Sequence, residues 1–81
     1  MLVSIRINGT LAQKLGTSRL NLQVETPATV QNVLVMLGEQ YPNSAEIINI
    51  AIPFVAGRHL DKNATLKQGQ QIALLMPAAG G

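Results

Sequence analysis

Residues 29–42 read TVQNVLVMLGEQYP and encode the one long helix that the sequence predicts, around which the other segments are arranged. Their apolar side chains recur at the i, i+3, i+4, i+7 spacing of a single helix face, at Val30, Val33, Leu34 and Leu37. Thr29 precedes this face and can cap the helix, because its hydroxyl accepts a hydrogen bond from a free backbone N–H. Pro42 cannot continue a helix. We therefore predict a helix over residues 30–40.

Two segments before this helix alternate apolar and polar residues with period two, which is typical of strands with one buried face. The apolar positions are Val3, Ile5 and Ile7 in the first segment and Leu20, Leu22 and Val24 in the second. The connection between them holds Leu11 and Leu15, and this spacing predicts one helical turn.

The second half of the chain predicts further strands. Residues 50–55 are apolar and β-branched, residues 58–60 can form a short strand, and residues 71–76 form the last one. Asn43-Ser44 can cap a second, short helical turn through residues 45–48.

The order of these elements predicts the fold class. A hairpin, one crossing helix and further strands give an α+β domain with a single main helix packed on one face of a mixed sheet. The crossover predicts that the third strand lies parallel to its neighbour. We place the domain at residues 1–76 and a C-terminal tail at residues 77–81.

The composition limits the possible functions. The chain of 81 residues has no cysteine and a net charge of +2 from dispersed charged residues. A thiolate nucleophile and a cysteine metal site are therefore excluded, and there is no basic stripe for nucleic acid. No apolar stretch approaches the roughly 20 residues that span a bilayer. We expect a soluble, cytoplasmic protein that contacts neither nucleic acid nor membrane.

The side chains of the chain do not form a recognisable catalytic set. His59 is the single histidine, and the four acidic residues are dispersed. We therefore expect a substrate or binding module, and not an enzyme. If alternate residues of the last strand face the helix, Leu75 faces outward, and together with Met76 and His59 it is a candidate partner-docking patch.

The sequence closes on Pro77-Ala78-Ala79-Gly80-Gly81. Glycine has no Cβ, so such an end can lie close to the backbone of another protein. One interpretation is an ordinary chain terminus of no functional importance. The other is a C-terminal carboxylate that the domain presents to an enzyme.

Taken over its whole length, the chain resembles the MoaD/ThiS family of ubiquitin-like β-grasp sulfur carriers. The segments that carry the resemblance are the opening strand of Val3, Ile5 and Ile7, LAQKLG at residues 11–16, TVQNVLVML at residues 29–37, and LDKNATLKQGQQIALLMPAAGG at residues 60–81. The chain departs from the family's usual residues in three places. The turn that usually reads Val-Asn-Gly is Val55-Ala56-Gly57 here, Asn8 replaces an exposed apolar residue, and Leu74-Leu75-Met76 stands where relatives often carry phenylalanine.

The resemblance implies a function for the C-terminal segment. An E1-like adenylyltransferase would adenylate Gly81 with ATP, and a sulfur donor would convert it to a thiocarboxylate. Residues Pro77, Ala78, Ala79 and Gly80 would then enter a partner's active site, that of the molybdopterin synthase large subunit or of another sulfur-accepting enzyme. The chain itself would bind no cofactor, and the sulfur would serve molybdenum cofactor biosynthesis.

Other functions remain open at this point. The sulfur could serve thiamine or another metabolite, or the chain could be a protein modifier that is conjugated to lysines through Gly81. A plain interaction domain is the last alternative, and it predicts that loss of Gly80 and Gly81 leaves function intact.

Overall fold

The computed structural model describes residues 1–77 of the chain. These residues form one mixed sheet with helices on one face, as the sequence predicts. The elements are β1 (Leu2–Ile7), α1 (Gly9–Leu15), β2 (Arg19–Gln23), α2 (Val30–Gln40), a 3₁₀ turn (Pro42–Ser44), α3 (Ala45–Ile50), β3 (Ile52–Val55), β4 (Arg58–His59) and β5 (Gln71–Leu75).

The last strand of the chain lies in the middle of the sheet. The strand order is β2-β1-β5-β3-β4, so β5 lies between the first strand and the third. It runs parallel to β1, with Ile5 opposite Ile72, and antiparallel to β3, with Pro53 opposite Leu74. The strand that leads into the C-terminal segment is therefore hydrogen-bonded on both sides.

The core lies between the sheet and α2. The apolar face predicted for this helix is buried at each of its four positions, and it meets the inward side chains of β1 and β5. Ile5, Ile7, Leu37 and Leu74 are fully buried. Burial of an aliphatic side chain of this size contributes about 1.5–3 kcal/mol, so this layer holds most of the stabilising contacts of a small domain.

The start of α2 is fixed by a reciprocal cap. Asn32 N–H donates to Thr29 Oγ1 at 3.2 Å, and Thr29 N–H donates to Asn32 Oδ1 at 2.8 Å. Both backbone donors would otherwise lack a partner within the helix. The prediction of Thr29 as the cap and of a helix over residues 30–40 is confirmed.

Three expectations about local structure need correction. The turn predicted between Leu11 and Leu15 is a longer helix that begins at Gly9, with both leucines buried. Ser44 precedes α3, but its side chain makes no capping hydrogen bond and is buried. The predicted strand at residue 50 begins only at Ile52, because Ile50 ends α3.

The expectation of a third strand parallel to its neighbour is wrong. β3 pairs antiparallel with both β5 and β4, and the parallel pair is β1 with β5. The crossover through α2 does make β3 run in the same direction as β2. However, β1 and β5 lie between these two strands, so they are not adjacent.

Within residues 1–77, no helix has the length and apolar character that a membrane span needs. The same residues contain no group of three or more histidine, cysteine or acidic side chains that could bind a metal ion.

Candidate functional site

The face of the sheet opposite the helices is the candidate site. Because side chains alternate along a strand, burial of Ile72 and Leu74 directs Gln71, Ala73 and Leu75 to this open face. The paired residues of the neighbouring strands face the same way. One row crosses the whole sheet, and its members in strand order are Arg19, Arg6, Ala73, Phe54 and His59.

Leu75 is the last residue of β5 and lies on this open face. It is opposite Ile52 of β3, and both side chains are half-buried. This apolar pair lies at the end of β5 from which the chain leaves the sheet. The position of Leu75 thus links the open face to the C-terminal segment.

His59 lies on the same face but at the edge of the sheet. Its ring packs beside Phe54, with ring centroids 5.7 Å apart and an angle of 49° between the planes. Such a tilted aromatic pair is worth about 0.5–1.5 kcal/mol beyond the area it buries. The pairing holds the exposed imidazole against a half-buried phenyl ring.

A shallow depression of about 450 Å³ lies on this face. Its floor is Ala73, whose small side chain leaves space between the larger side chains of Arg6, Phe54 and Leu75. The depression also reaches the β3–β4 turn at Ala56 and Gly57. A depression of this shape can accept an apolar side chain of a partner protein.

The charged residues that the five strands direct to this face are both arginines, Arg6 and Arg19. Arg6 and Arg19 face each other across β1 and β2, and His59 lies at the far edge. The outward positions of the five strands carry no carboxylate. A complementary partner surface is therefore apolar at its centre and acidic at its rim.

The residues predicted as partner contacts do not all lie together. Leu75 and His59 share the open face, whereas Met76 is half-buried and packs against the core. Pro77 is exposed at the end of the described residues. The predicted tail residues Ala78, Ala79, Gly80 and Gly81 lie outside the described residues.

Sequence reasoning missed two residues of this site, Phe54 and Arg6, whereas it predicts that Ala73 faces outward together with Leu75. Phe54, Ala73 and Arg6 line the depression beside Leu75, yet they come from three different strands. The period-two alternation marks each as outward within its strand. The strand order and register that place them side by side could not be obtained from that alternation alone.

The turn between β3 and β4 borders this site and has an unusual backbone. Ala56 has φ of 52° and Gly57 has φ of 78°, so both central residues lie in the left-handed region. Positive φ at both positions is typical of a type I′ hairpin turn, which favours Asn-Gly. Ala56 therefore holds a conformation that its Cβ disfavours.

These observations can be compared with known proteins. The model of the ThiS family matches residues 5–81, which is nearly the whole chain and includes Gly80 and Gly81. The chain belongs to the ThiS family. Members of the MoaD/ThiS family are small carrier subunits that act with partner enzymes. Comparison with curated proteins gives no match.

Solved structures of similar fold come from archaea and bacteria. The HVO 2177 protein of Haloferax volcanii shares 27% identity over 100% of this chain and 87% of its own, with a TM-score of 0.84. The small archaeal modifier protein 1 of Methanosarcina acetivorans shares 23% identity over 99% and 96%, with a TM-score of 0.80. Subunit 1 or 2 of the molybdopterin-converting factor of Helicobacter pylori, solved as a complex, shares 21% identity over 100% of both chains, with a TM-score of 0.70.

These likenesses establish the β-grasp, ubiquitin-like fold. A ubiquitin of Caldiarchaeum subterraneum also aligns over 100% of this chain, with a TM-score of 0.67 and 22% identity. The fold class predicted from the sequence is confirmed.

Proposed function

We propose that this ThiS-family protein carries sulfur as a thiocarboxylate on Gly81 and donates it in molybdopterin biosynthesis. The observation that carries the proposal is the family match, which extends through Gly80 and Gly81. The segment that ends there leaves the sheet directly beside the open face, at Leu75. A partner that binds this face therefore lies beside the start of the C-terminal segment.

The chemistry starts with activation of a carboxylate. A carboxylate is a poor electrophile because its oxygen is a poor leaving group. In the proposed reaction, an oxygen of the Gly81 carboxylate attacks the α-phosphorus of ATP and pyrophosphate leaves, which gives an acyl adenylate. A hydrosulfide equivalent from a sulfur donor then attacks the carbonyl carbon. AMP leaves and one proton is released, which gives the thiocarboxylate.

The protein contributes the acyl group to this reaction, and an E1-like adenylyltransferase contributes the catalytic groups. The chain carries no side chain on its last two residues, so an enzyme can enclose the reacting carbon closely. Recognition of a C-terminal carboxylate is an established mode of peptide binding. The carrier then acts as a co-substrate and binds no cofactor of its own.

The open face supplies the proposed docking surface. Leu75, Phe54 and Ala73 form its apolar centre, and Arg6 and His59 lie around them. Apolar residues at the centre of an interface contribute most of its binding energy, while charged residues at the rim steer association. We propose that both the adenylyltransferase and the sulfur-accepting enzyme bind here, one after the other.

The acceptor that we favour is the molybdopterin synthase large subunit. Two features support this choice: the length of the chain and the proline at residue 77, which resemble the small subunit of that enzyme. The solved complex of the two molybdopterin-converting factor subunits of Helicobacter pylori contains a subunit of this fold. Thiamine or another metabolite is the alternative acceptor pathway, and the enzyme that co-purifies with the chain distinguishes them.

Conjugation to proteins is the second candidate function. It is favoured by the likeness of fold to a protein that is described as a small archaeal modifier. The same acyl adenylate would then be captured by the amino group of a lysine, and an isopeptide bond at Gly81 would result. Conjugates on a blot that vanish when Gly81 is deleted would support this function.

Intact mass spectrometry of the protein from its own host tests the main proposal. We expect a mass increase that equals the exchange of one oxygen for one sulfur, localised to Gly81 by fragmentation. The matched control is the chain without Gly80 and Gly81. The unmodified mass after incubation with ATP, a sulfur source and the host's adenylyltransferase would contradict sulfur carriage.

A further inference from the structure

Among the described residues, the outer edge of β2 is not covered by another strand of the sheet. β2 pairs with β1 on one side only and is the edge of the sheet. Exposed edge strands present unpaired backbone groups and tend to pair with another chain unless they are blocked by proline, charged side chains or a bulge. β2 reads RLNLQ, contains no proline and carries its one charged side chain, Arg19, at its first position.

The hydrogen bonds of β1 show which backbone groups of β2 point outward. The amino group of Met1 donates to Val24 O and Val24 N–H donates to Met1 O, each at 2.8 Å, while Ile7 N–H donates to Ser18 O at 2.9 Å. Backbone direction alternates along an antiparallel strand. The groups of Leu20 and Leu22 therefore also face β1, and those of Arg19, Asn21 and Gln23 face away from it.

Only some of the outward backbone groups of β2 already have a hydrogen-bond partner. The hydroxyl of Thr17 accepts from Arg19 N–H at 3.3 Å and donates to Arg19 O at 2.8 Å. Within residues 1–77, the outward N–H and C=O groups of Asn21 and Gln23 have no protein partner. The free part of the edge thus consists of two residues, with both donor and acceptor open at each.

We propose that this edge pairs antiparallel with β2 of a second copy of the chain. In one register, Asn21 lies opposite Gln23 of the second copy, and the two-fold axis repeats the pair. Each residue then exchanges both of its outward backbone hydrogen bonds with its partner. The sheets of the two copies become continuous.

In this register, the side chains that oppose each other across the interface are compatible in polarity and charge on both faces of the sheet. On the helix side, Leu22 meets Leu22 of the second copy and Leu20 meets Val24, so every opposing pair is apolar. Leu20 is half-buried in the single chain and would lose further exposure to water. If the alternation of β2 continues for two residues beyond its end at Gln23, Arg19 on the open face lies opposite Glu25 of the second copy. Shifts of the pairing by two residues remove this ion pair and place Arg19 opposite Gln23 or Pro27.

Repulsion between like charges within the single chain also favours an ion pair between Arg19 and Glu25 of the second copy. Arg19 lies opposite Arg6 within the sheet, and like charges in directly opposite positions are unfavourable. Glu25 follows β2 and is exposed. Pairing of two copies places this carboxylate opposite Arg19, which offsets the repulsion between Arg19 and Arg6.

The proposed dimer does not depend on the proposed sulfur chemistry. β2 lies at the opposite edge of the sheet from β4, so Phe54, His59 and Leu75 stay uncovered. The pairing of two short edges forms a small interface, and such interfaces are weak and transient. Association is therefore measured at protein concentrations up to about 1 mM.

Charge reversal at the two ends of the interface tests the pairing. The variants are Arg19→Glu and Glu25→Arg, each alone and mixed, with sedimentation velocity at low salt as the readout. Each variant alone creates two like-charged pairs, and we expect its dissociation constant to rise about tenfold. An equimolar mixture restores two opposite-charge pairs, and we expect it to associate as tightly as the unchanged protein.

A control and a local measurement complete the test. Arg58→Glu makes the same change in net charge as Arg19→Glu but at the other edge of the sheet, and we expect it to leave association unchanged. The amide resonances of Asn21 and Gln23 should shift with protein concentration. A chain that stays monomeric at the highest concentration would overturn the proposal, as would association that neither reversal weakens. Concentration-dependent shifts on the open face instead of β2 would also overturn it.

Discussion

The rings of Phe54 and His59 lie side by side on β3 and β4, with centroids 5.7 Å apart on the open face of the sheet. Phe54 is half-buried beside the depression, whereas His59 is exposed at the sheet edge. The two residues should therefore contribute differently to partner binding.

We expect Phe54→Ala to weaken binding of the sulfur-accepting enzyme by about 2 kcal/mol, because it removes an aromatic side chain from the centre of the proposed interface. His59→Ala, at the rim, should cost less than about 1 kcal/mol. Isothermal titration calorimetry measures both. Equal losses for the two variants would contradict the assignment of centre and rim.

Leu75→Asp places a charge in the apolar part of the open face, at the point where the chain leaves the sheet. We expect it to weaken binding of the adenylyltransferase at least tenfold, corresponding to about 1.4 kcal/mol, and to lower the melting temperature only slightly. Val35→Asp is the matched control, since Val35 is 50% exposed on α2, on the other side of the molecule. An equal loss of affinity in both variants would remove Leu75 from the docking surface.

Ala56→Asn should stabilise the fold. Ala56 has φ of 52° in the β3–β4 turn, and asparagine tolerates this left-handed conformation better than alanine does. We expect the free energy of unfolding to rise by about 1 kcal/mol, because the left-handed conformation costs an alanine roughly 1–2 kcal/mol. Urea denaturation measures the change. Ala56→Val is the opposing control, because a β-branched residue should destabilise the same turn.

Thr29→Ala removes one half of the reciprocal cap of α2. The expected loss in the free energy of unfolding is about 1 kcal/mol, since one backbone donor of the helix loses its acceptor. Asn32→Ala removes the other half and should cost a similar amount. In the double variant the losses should be less than additive, because the two bonds fix the same turn. Full additivity would mean that the two bonds act independently.

Gly81→Ala separates activation from folding. Residue 81 follows Leu75, the end of β5, by six positions, so a methyl group there should leave the melting temperature unchanged. We expect the adenylyltransferase to release much less pyrophosphate with this variant, because the added Cβ hinders enclosure of the reacting carbon. Unchanged pyrophosphate release would argue against close enclosure of the terminal residue.

Local structure could be predicted well wherever one pattern determined it. Thr29 and the apolar face of α2 gave the helix its observed limits, and the alternation around Ile5 and Leu22 gave both strands of the first hairpin. Ile50 was assigned to a strand because its neighbours are apolar. It instead ends α3 and is 57% exposed. A short apolar run does not distinguish the end of a helix from the start of a strand.

The order and pairing of the strands were harder to predict, and they determine which residues lie together in the candidate site. The alternation predicts that Leu75 and Ala73 face opposite ways from Leu74 along β5. Arg6 and Phe54 flank Ala73 because β5 is inserted between β1 and β3. No local sequence pattern encodes this insertion. The same limit explains the wrong expectation for the direction of β3 relative to its neighbour.

The central position of β5 also affects how the domain is made. During synthesis, β1, β2 and β3 leave the ribosome before the strand that joins them. Contacts between residues so far apart in sequence form late, since the loop must close first. A nascent chain without residues 71–75 has no bridge between β1 and β3, and it lacks Ala73 and Leu75. The proposed docking surface can therefore be completed only after synthesis has reached the last strand, so an incomplete chain would lack Ala73 and Leu75 of its apolar centre.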